Sequence, residues 1–507
     1  MSEPILFEKR TLSHRLIAYW EKNPVASLLI IAAIPRLISV CFAKGYGMSD
    51  DHFLIIEVAQ RWIEGIPDWY DRSEPFLQSI IYPGLHSILF ALLDKVGMTD
   101  PQVKMFLVRL IHGAYSLLIV YYGYLITLRI SGEQKARWVG LSLALLWCLP
   151  FLSVRNLREV ICIPPMMAGF YHLMRAEGKK PTLNLILCGF LFSVAFILRF
   201  QTLLFTVGLG LYLLSQGRIK NIVLFSAGFS VGALIEGMAE WYAWETPFIT
   251  LYHYAMYNIE HAKDYPNGPW FQFFLTVLGL MLPPASLALG FGFFKNWKKY
   301  APIFWASVAF FAFHSYSPNK QERFIFPLLP FFLMLGITGW TEYVEKSAFW
   351  QRNRKWMRPV WIFTLVVNML ALLVVSTTYS KRSRVESMYY LYQKADFRNM
   401  IVEREKNDVP LLPVFYLDYW GGYYQLTTQN TPEQIKASVE QSKSIPPNYV
   451  VFFGDKNLDR RVERVKKVYP SLQPETLIHI SLVDYIAYVL NPNNNENETA
   501  YIYKIPD

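Results

Sequence analysis

The sequence predicts an α-helical polytopic membrane protein of about eleven transmembrane helices, with interfacial helices in its first outer loop and a soluble α/β domain at its carboxyl end. Three observations predict it. Of 507 residues, 53% are hydrophobic and only 17% charged, whereas a soluble domain carries roughly 25% charged residues. Eleven apolar runs approach the ~20 residues with which a helix crosses a bilayer core of about 30 Å. Lys and Arg recur at every second connection between those runs, as the positive-inside bias requires. Aromatic residues, at 16%, suit extensive membrane interfaces. The same composition excludes disordered, collagenous and coiled-coil chains.

Residues 1–24 form a cytoplasmic amino terminus carrying Lys9, Arg10, Arg15 and Lys22. No small-residue cleavage site follows the first apolar run, so that run reads as a start-transfer anchor. The spans lie at 25–43, 103–128, 136–152, 159–174, 183–198, 200–215, 220–238, 271–294, 301–316, 324–341 and 358–378, a transmembrane unit covering 25–378. Inner loops then hold Arg129, Lys135 and Arg137; Arg175, Lys179 and Lys180; Arg218 and Lys220; Lys295, Lys298 and Lys299; and Lys346, Arg352, Arg354, Lys355 and Arg358. An odd number of spans places the carboxyl terminus outside.

Residues 81–94 are apolar but only 14 long and contain His86. Counting them as a span would invert every later loop, so they and 52–65 are read as helices lying along the outer interface. The first outer loop, 44–102, sets nine acidic residues against Lys44, Arg61, Arg72 and Lys95. From 379 to 507 the composition turns polar, with short apolar runs near 413 and 449 that read as strands of a periplasmic or lumenal α/β domain. No internal repeat suggests the paired halves of many transporters. Cys41, Cys148, Cys162 and Cys188 lie in apolar runs without CxxC spacing, which indicates neither a zinc site nor a disulfide framework. The net charge of +10 resolves into the inner loops, so the implied partners are membrane lipids and not nucleic acid.

Walker, GxGxxG, HExxH and GxSxG patterns are absent, and with them nucleotide, zinc-protease and serine-hydrolase chemistry. Polar groups gather instead at the outer ends of the spans. Ser49, Asp50, Asp51 and His52, followed by Glu57, place carboxylates where desolvation can make a base toward a hydroxyl; equally, Asp50 can cap the helix that follows. Asn319, Lys320, Gln321, Glu322, Arg323 and Phe324 lie between Pro318 and Pro327, offering two cations that suit a lipid phosphate or an ordinary polar turn with a snorkelling lysine. Arg155, Asn156, Arg158 and Glu159, joined by Arg199, put cations on the outer side against the orientation bias, which calls for compensation by nearby carboxylates. Arg36, Glu236 and Glu240 lie in or beside spans, where interior pairing is the default.

At these clusters the chain resembles glycosyltransferase family 22, mannosyltransferases of the C-type multi-span (GT-C) superfamily. SDDHFLIIEVAQ (49–60) resembles the family's outer-loop pattern of Asp-Glu, aromatic residues and Glu-Val-Ala. QSIIYP (78–83) resembles its Arg-Ser-aromatic-x-Tyr-Pro, and PNKQERFIFPLLP (318–330) its His-Lys-Glu-x-Arg-Phe-x-x-Pro loop. IEGMAEWYAWETPFITLYHYAMYN and PNGPWFQFF are similar to the segment around its tryptophan-rich outer loop. Gln78, Asn319, Gln321 and Asp51 depart from the family's Arg, His, Glu and Glu.

The resemblance implies a GT-C fold and transfer of mannose from a polyprenyl or dolichyl phosphate donor to a glycan or glycolipid acceptor on the outer face. It implies an inverting single displacement with Asp50 as base and Asp51 second to it. Lys320, Arg323 and Arg199 would hold the donor phosphate; Glu57, Gln78, Tyr82, Arg155, Arg158, Glu159, Asn319 and Glu322 would meet substrate. Neither metal nor cofactor is expected. The rival readings are a flippase or transporter of a lipid-linked sugar, which should show midplane charges and broken-helix pairs, and a GT-C enzyme using another lipid-phosphate sugar. The lack of a retention signal and the Asn-rich 491–499 segment favour a bacterial inner membrane, with the endoplasmic reticulum the location if the source is eukaryotic.

Overall fold

A computed structural model describes residues 12–66, 75–178, 180–265, 267–404, 411–442, 445–492 and 495–506. Lys9, Arg10, Asp68, Asp71, Arg72, Glu74 and Lys179, which enter the charge readings above, lie outside the described residues. Among the described residues six helices are long and apolar enough to cross a membrane: Pro24–Phe42, Pro101–Ser131, Pro181–Leu198, Ile219–Trp244, Glu322–Lys346 and Arg354–Ser376. A seventh crossing forms if Gln272–Leu280 and Ala285–Lys295, bent by 114° at their junction, are taken together.

The difference from eleven has a physical cause in the breaks. Glu133–Leu145, Ile163–Arg175 and Leu203–Ser215 each have 13 residues and Ala301–Tyr316 has 16, about 20–24 Å at ~1.5 Å per residue, short of a bilayer core. Leu146 leaves the helical region (ψ 125°) before a separate turn at Leu149–Ser153, and Arg199 is extended (φ −154°) between two apolar helices. The expected segments are therefore helical but interrupted. The helices pack closely where glycine permits. A Cβ on Gly189 would lie 1.9 Å from the Phe225 carbonyl oxygen, and one on Gly228 1.9 Å from that of Ile186, so the Pro181–Leu198 and Ile219–Trp244 backbones are in near contact.

The segment 44–102 contains the expected helices, as a π-helical segment His52–Glu57 running into Val58–Glu64, and as Ile81–Lys95. Beyond the last long helix the chain forms a five-stranded sheet in the order β2-β1-β3-β5-β4: β1 Met400–Arg404, β2 Tyr424–Leu426, β3 Tyr449–Phe453, β4 Gln473–Ile478 and β5 Ala500–Lys504. β1 runs parallel to β2 and β3, while β5 runs antiparallel to β3 and β4. β3 is buried along its whole length, as its run YVVFF suits. The apolar run near 413 is not a strand. Proline cannot donate to a ladder, and after Pro413 the chain turns through a 3₁₀ segment, Val414–Tyr416, whose side chains are buried.

Those side chains enter one core with the helices of the 44–102 segment. Tyr46, Phe53, Ile55, Tyr82, Phe90 and Met105 pack with Val385, Met388, Met400, Phe415, Tyr416 and Phe453. The carboxyl-terminal elements are thus packed on the loop that carries the candidate base.

Candidate active site

Ser49–Asp51 makes a single helical turn that continues into the π-helical segment. Neighbouring helical residues point about 100° apart, and the two aspartates accordingly differ: the Asp50 side chain is 49% exposed and that of Asp51 only 5%. Asp51 is held from behind, its carbonyl accepting from Asn156 Nδ2.

Arg323 joins the three sequence clusters. It stands near the start of the 3₁₀ segment Glu322–Leu328. Its Nη2 lies 2.7 Å from Asp50 Oδ2, its Nη1 3.8 Å from Asp51 Oδ2 and its Nε 3.6 Å from Glu159 Oε1, with Nε also donating to Gln321 Oε1 at 2.9 Å. Arg199, at the break between two helices, approaches the same Glu159 oxygen at 3.0 Å and donates to Gln201 Oε1 at 3.1 Å. The guanidinium carbons of Arg199 and Arg323 lie 5.3 and 5.6 Å from the Phe324 ring centroid. Arg158 is buried beside this group, and the charges of Asp51, Arg199 and Glu159 act on it.

Three guanidiniums thus meet three carboxylates. Burial first, and then the charge of Glu159, push the Asp51 carboxyl up to about 7 although Arg323, Arg158 and Arg199 oppose the shift. Near neutral pH that carboxyl is partly protonated. The cluster then has a surplus of positive charge, which can receive an anion, beside an exposed carboxylate, which can take a proton.

The other expected residues divide. Gln78 lines a small crevice with Arg158, Ser79, Phe76 and Leu54, next to the cluster. Asn319 is buried and its backbone bridges to Asn267, while Glu322 is exposed. Lys320 does not face the cluster as expected. Its ammonium donates to the carbonyls of His314 and Ser315, both at 2.8 Å, and to that of Ser317, and so caps the end of the Ala301–Tyr316 helix. Glu57 also turns away: it is fully buried, 3.7 Å from His52 Nε2, and accepts the Phe415 N–H at 3.3 Å. Arg155 donates to the Gly45 carbonyl at 2.9 Å and to Ser380 Oγ at 3.0 Å, tying together two helix ends. The Tyr82 hydroxyl bonds His112 Nε2 at 2.8 Å.

Interior pairing of Arg36, Glu236 and Glu240 takes a different form from opposite charges. Arg36 donates to Ser116 Oγ and to the Ala32, Leu143 and Ala144 carbonyls; Glu236 accepts from Ser79 and Glu240 from Thr250. Sequence reasoning missed Gln201, which steadies Arg199, and Tyr254, which packs on Phe200 within reach of the Arg199 and Glu159 charges. The aromatic-rich segment IEGMAEWYAWETPFITLYHYAMYN was the signal for Tyr254; none marked Gln201. Among the described residues no three His, Cys, Asp or Glu side chains gather as metal ligands would.

Residues 27–410 match the sequence pattern of the Alg9-like mannosyltransferase family. The chain belongs to that family. This mannosyltransferase is 21% identical over 366 residues to GPI mannosyltransferase 3 of Yarrowia lipolytica, covering 70% of this chain and 68% of the relative. It is 22% identical over 474 residues to mannosyltransferase APTG1 of Arabidopsis thaliana, covering 84% of each, and 20% identical over 392 residues to human GPI alpha-1,2-mannosyltransferase 3, covering 73% and 66%. Among solved structures it shares its GT-C fold with Cupriavidus metallidurans ArnT bound to undecaprenyl phosphate, with TM-score 0.56, 14% identity and coverage of 94% and 97%. Archaeoglobus fulgidus AglB, in complex with an inhibitory peptide and a dolichol-phosphate, matches with TM-score 0.52, 10% identity and coverage of 90% and 73%. The mannosyltransferase is a multi-pass membrane protein of this fold.

Proposed function

We propose that the enzyme transfers mannose from a polyprenyl or dolichyl phosphate donor to a hydroxyl of a glycan or glycolipid on the outer face, with inversion. The observation that carries this reading is the half-exposed Asp50 carboxylate 2.7 Å from Arg323, within one cluster with Arg199 and Arg158. In the displacement the acceptor oxygen attacks the anomeric carbon, the bond from that carbon to the phosphate oxygen breaks, and the acceptor proton passes to Asp50. The leaving polyprenyl phosphate keeps the electron pair and is stabilised by Arg199 and Arg323, with Arg158 behind them. Lys320 is reassigned to holding the Arg323 segment in place.

Asp51, buried and partly protonated, shapes the charge of the cluster, and Gln78 and Glu322 line the acceptor side. A lipid-phosphate donor suits a cationic site at the ends of membrane helices, and of the neighbours in fold ArnT is bound to undecaprenyl phosphate and AglB is in complex with a dolichol-phosphate. In this topology eleven membrane segments, several of them broken, leave the amino terminus inside and the carboxyl-terminal sheet outside.

The test is transfer of radiolabel from polyprenyl-phosphate mannose into membrane extracts by wild type and by Asp50→Asn. Wild type should form product, and the variant should lose about 10²–10⁴-fold in rate while still binding donor. Full turnover by Asp50→Asn would remove Asp50 as base. No product from wild type with this donor, and product from another lipid-phosphate sugar, would replace mannose as the donor sugar.

A further inference from the structure

The helix Leu482–Leu490, between β4 and β5, exposes its apolar side. Its exposed residues are Leu482 (68%), Tyr485 (51%), Ile486 (45%), Val489 (57%) and Leu490 (79%), at spacings of three, four, seven and eight from the first. Those positions form one stripe on a 3.6-residue helix. Its one charged residue, Asp484, lies off the stripe, and no residue of the helix is fully buried. An amphipathic helix packed on a soluble sheet does the reverse.

The neighbours of this helix locate it. The Asp484 charge acts on Arg155. Arg155 in turn holds Gly45, just past the Pro24–Phe42 helix, and Ser380, just past the Arg354–Ser376 helix. These are the points at which two long apolar helices end. The sheet presents the same edge there: β4 ends at Ile478 opposite Ala500, Glu498 pairs with Arg384, and Arg384 lies against Tyr46. Leu370, Leu373 and Val374 on the last long helix are exposed too, so its lipid-facing surface leads to the level of the stripe.

We propose that the Leu482–Leu490 stripe lies in the bilayer at the boundary of headgroups and acyl chains, on the side of the Asp50 loop, and seats the carboxyl-terminal sheet on the membrane. The occupant of the stripe is lipid. Tyr485 sits where an amphipathic ring settles at headgroup depth, and the helix lies in the plane of the interface and does not cross it. The proposal rests on the chain being a multi-pass membrane protein and is independent of which sugar or base the reaction uses.

The test places a nitroxide at Ile486→Cys, and separately at Val489→Cys, in full-length Cys41→Ser protein reconstituted into phosphatidylcholine nanodiscs. The remaining cysteines are buried. Power-saturation EPR compares relaxation by oxygen, which concentrates in lipid, with relaxation by a water-soluble nickel chelate; Lys436→Cys, on an exposed helix of the sheet region, is the aqueous reference. The expected result is oxygen exceeding nickel several-fold at 486 and 489 and the opposite at 436, with all variants monodisperse on gel filtration. Nickel exceeding oxygen at 486 and 489 overturns the proposal in favour of a water-facing helix. Shielding from both overturns it in favour of a second copy or another protein covering the stripe. No turnover is read, so loss of the catalytic reading would leave this result untouched.

Discussion

At the scale of single residues, the site is defined by which carboxylate is buried. The Asp51 carboxyl stands at about 7 in the folded protein, against an ordinary value near 3.8, so the folded state holds its proton over a range where the unfolded chain has lost it. Its contribution to stability is therefore full below about pH 4 and declines as pH rises to about 7. Asp51→Asn stays neutral throughout. The difference in Tm between variant and wild type, measured in detergent, should grow in the variant's favour from pH 4 to 7 and then level off; parallel curves would show that Asp51 titrates normally. This charge state was beyond the sequence, because adjacent aspartates look alike until one is buried. Asp50, Asp51, Glu159, Arg199 and Arg323 were singled out in three separate segments of sequence, and the structure brings their side chains together. Lys320 and Glu57 bond backbone groups of the protein itself, and a motif shows that a cation or carboxylate is present but not whether its partner is a substrate or a neighbouring backbone group.

At the scale of elements, Lys320 supplies the end of a helix. The last carbonyls of any helix lack intrahelical donors, and Lys320 fills three of them just before the Arg323 segment begins. Lys320→Met should cost about 1–3 kcal/mol through unsatisfied buried carbonyls, read as a lower Tm, with transfer retained at reduced temperature. An unchanged Tm with a raised KM for donor would instead return Lys320 to the phosphate. Helices themselves were readable from apolar runs, as were the loop helices at 52–65 and 81–94 and the strand at 449–453. Of their interruptions, the one at Arg199 was read as a boundary between 183–198 and 200–215, whereas Leu146 ends a helix inside the expected span 136–152 through backbone conformation in otherwise apolar sequence, which hydropathy does not register.

At the scale of the whole molecule, the loop carrying Asp50 and Asp51 and the carboxyl-terminal region share a core that no local pattern announces. His52 is stacked between Tyr46 and Tyr416, with ring centroids 4.8 and 5.5 Å away. Tyr416→Ala should destabilise the protein by roughly 3–5 kcal/mol, as other large aromatic truncations in cores do, and lower its Tm although residue 416 is remote in sequence from the aspartates. An unshifted Tm would mean that the two regions are only loosely joined.

The bond from Phe415 to Glu57 spans 358 positions of chain. A ribosome adding about 5–20 residues per second needs roughly 20–70 s to bridge that gap. Throughout that interval the aspartate loop is already made but lacks the aromatic residues that stack on it, so its core is completed only late in the synthesis of each chain. A polypeptide cut short before residue 415 is expected to show no transfer in the radiolabel assay, and transfer by such a truncation would mean that the loop works without that core.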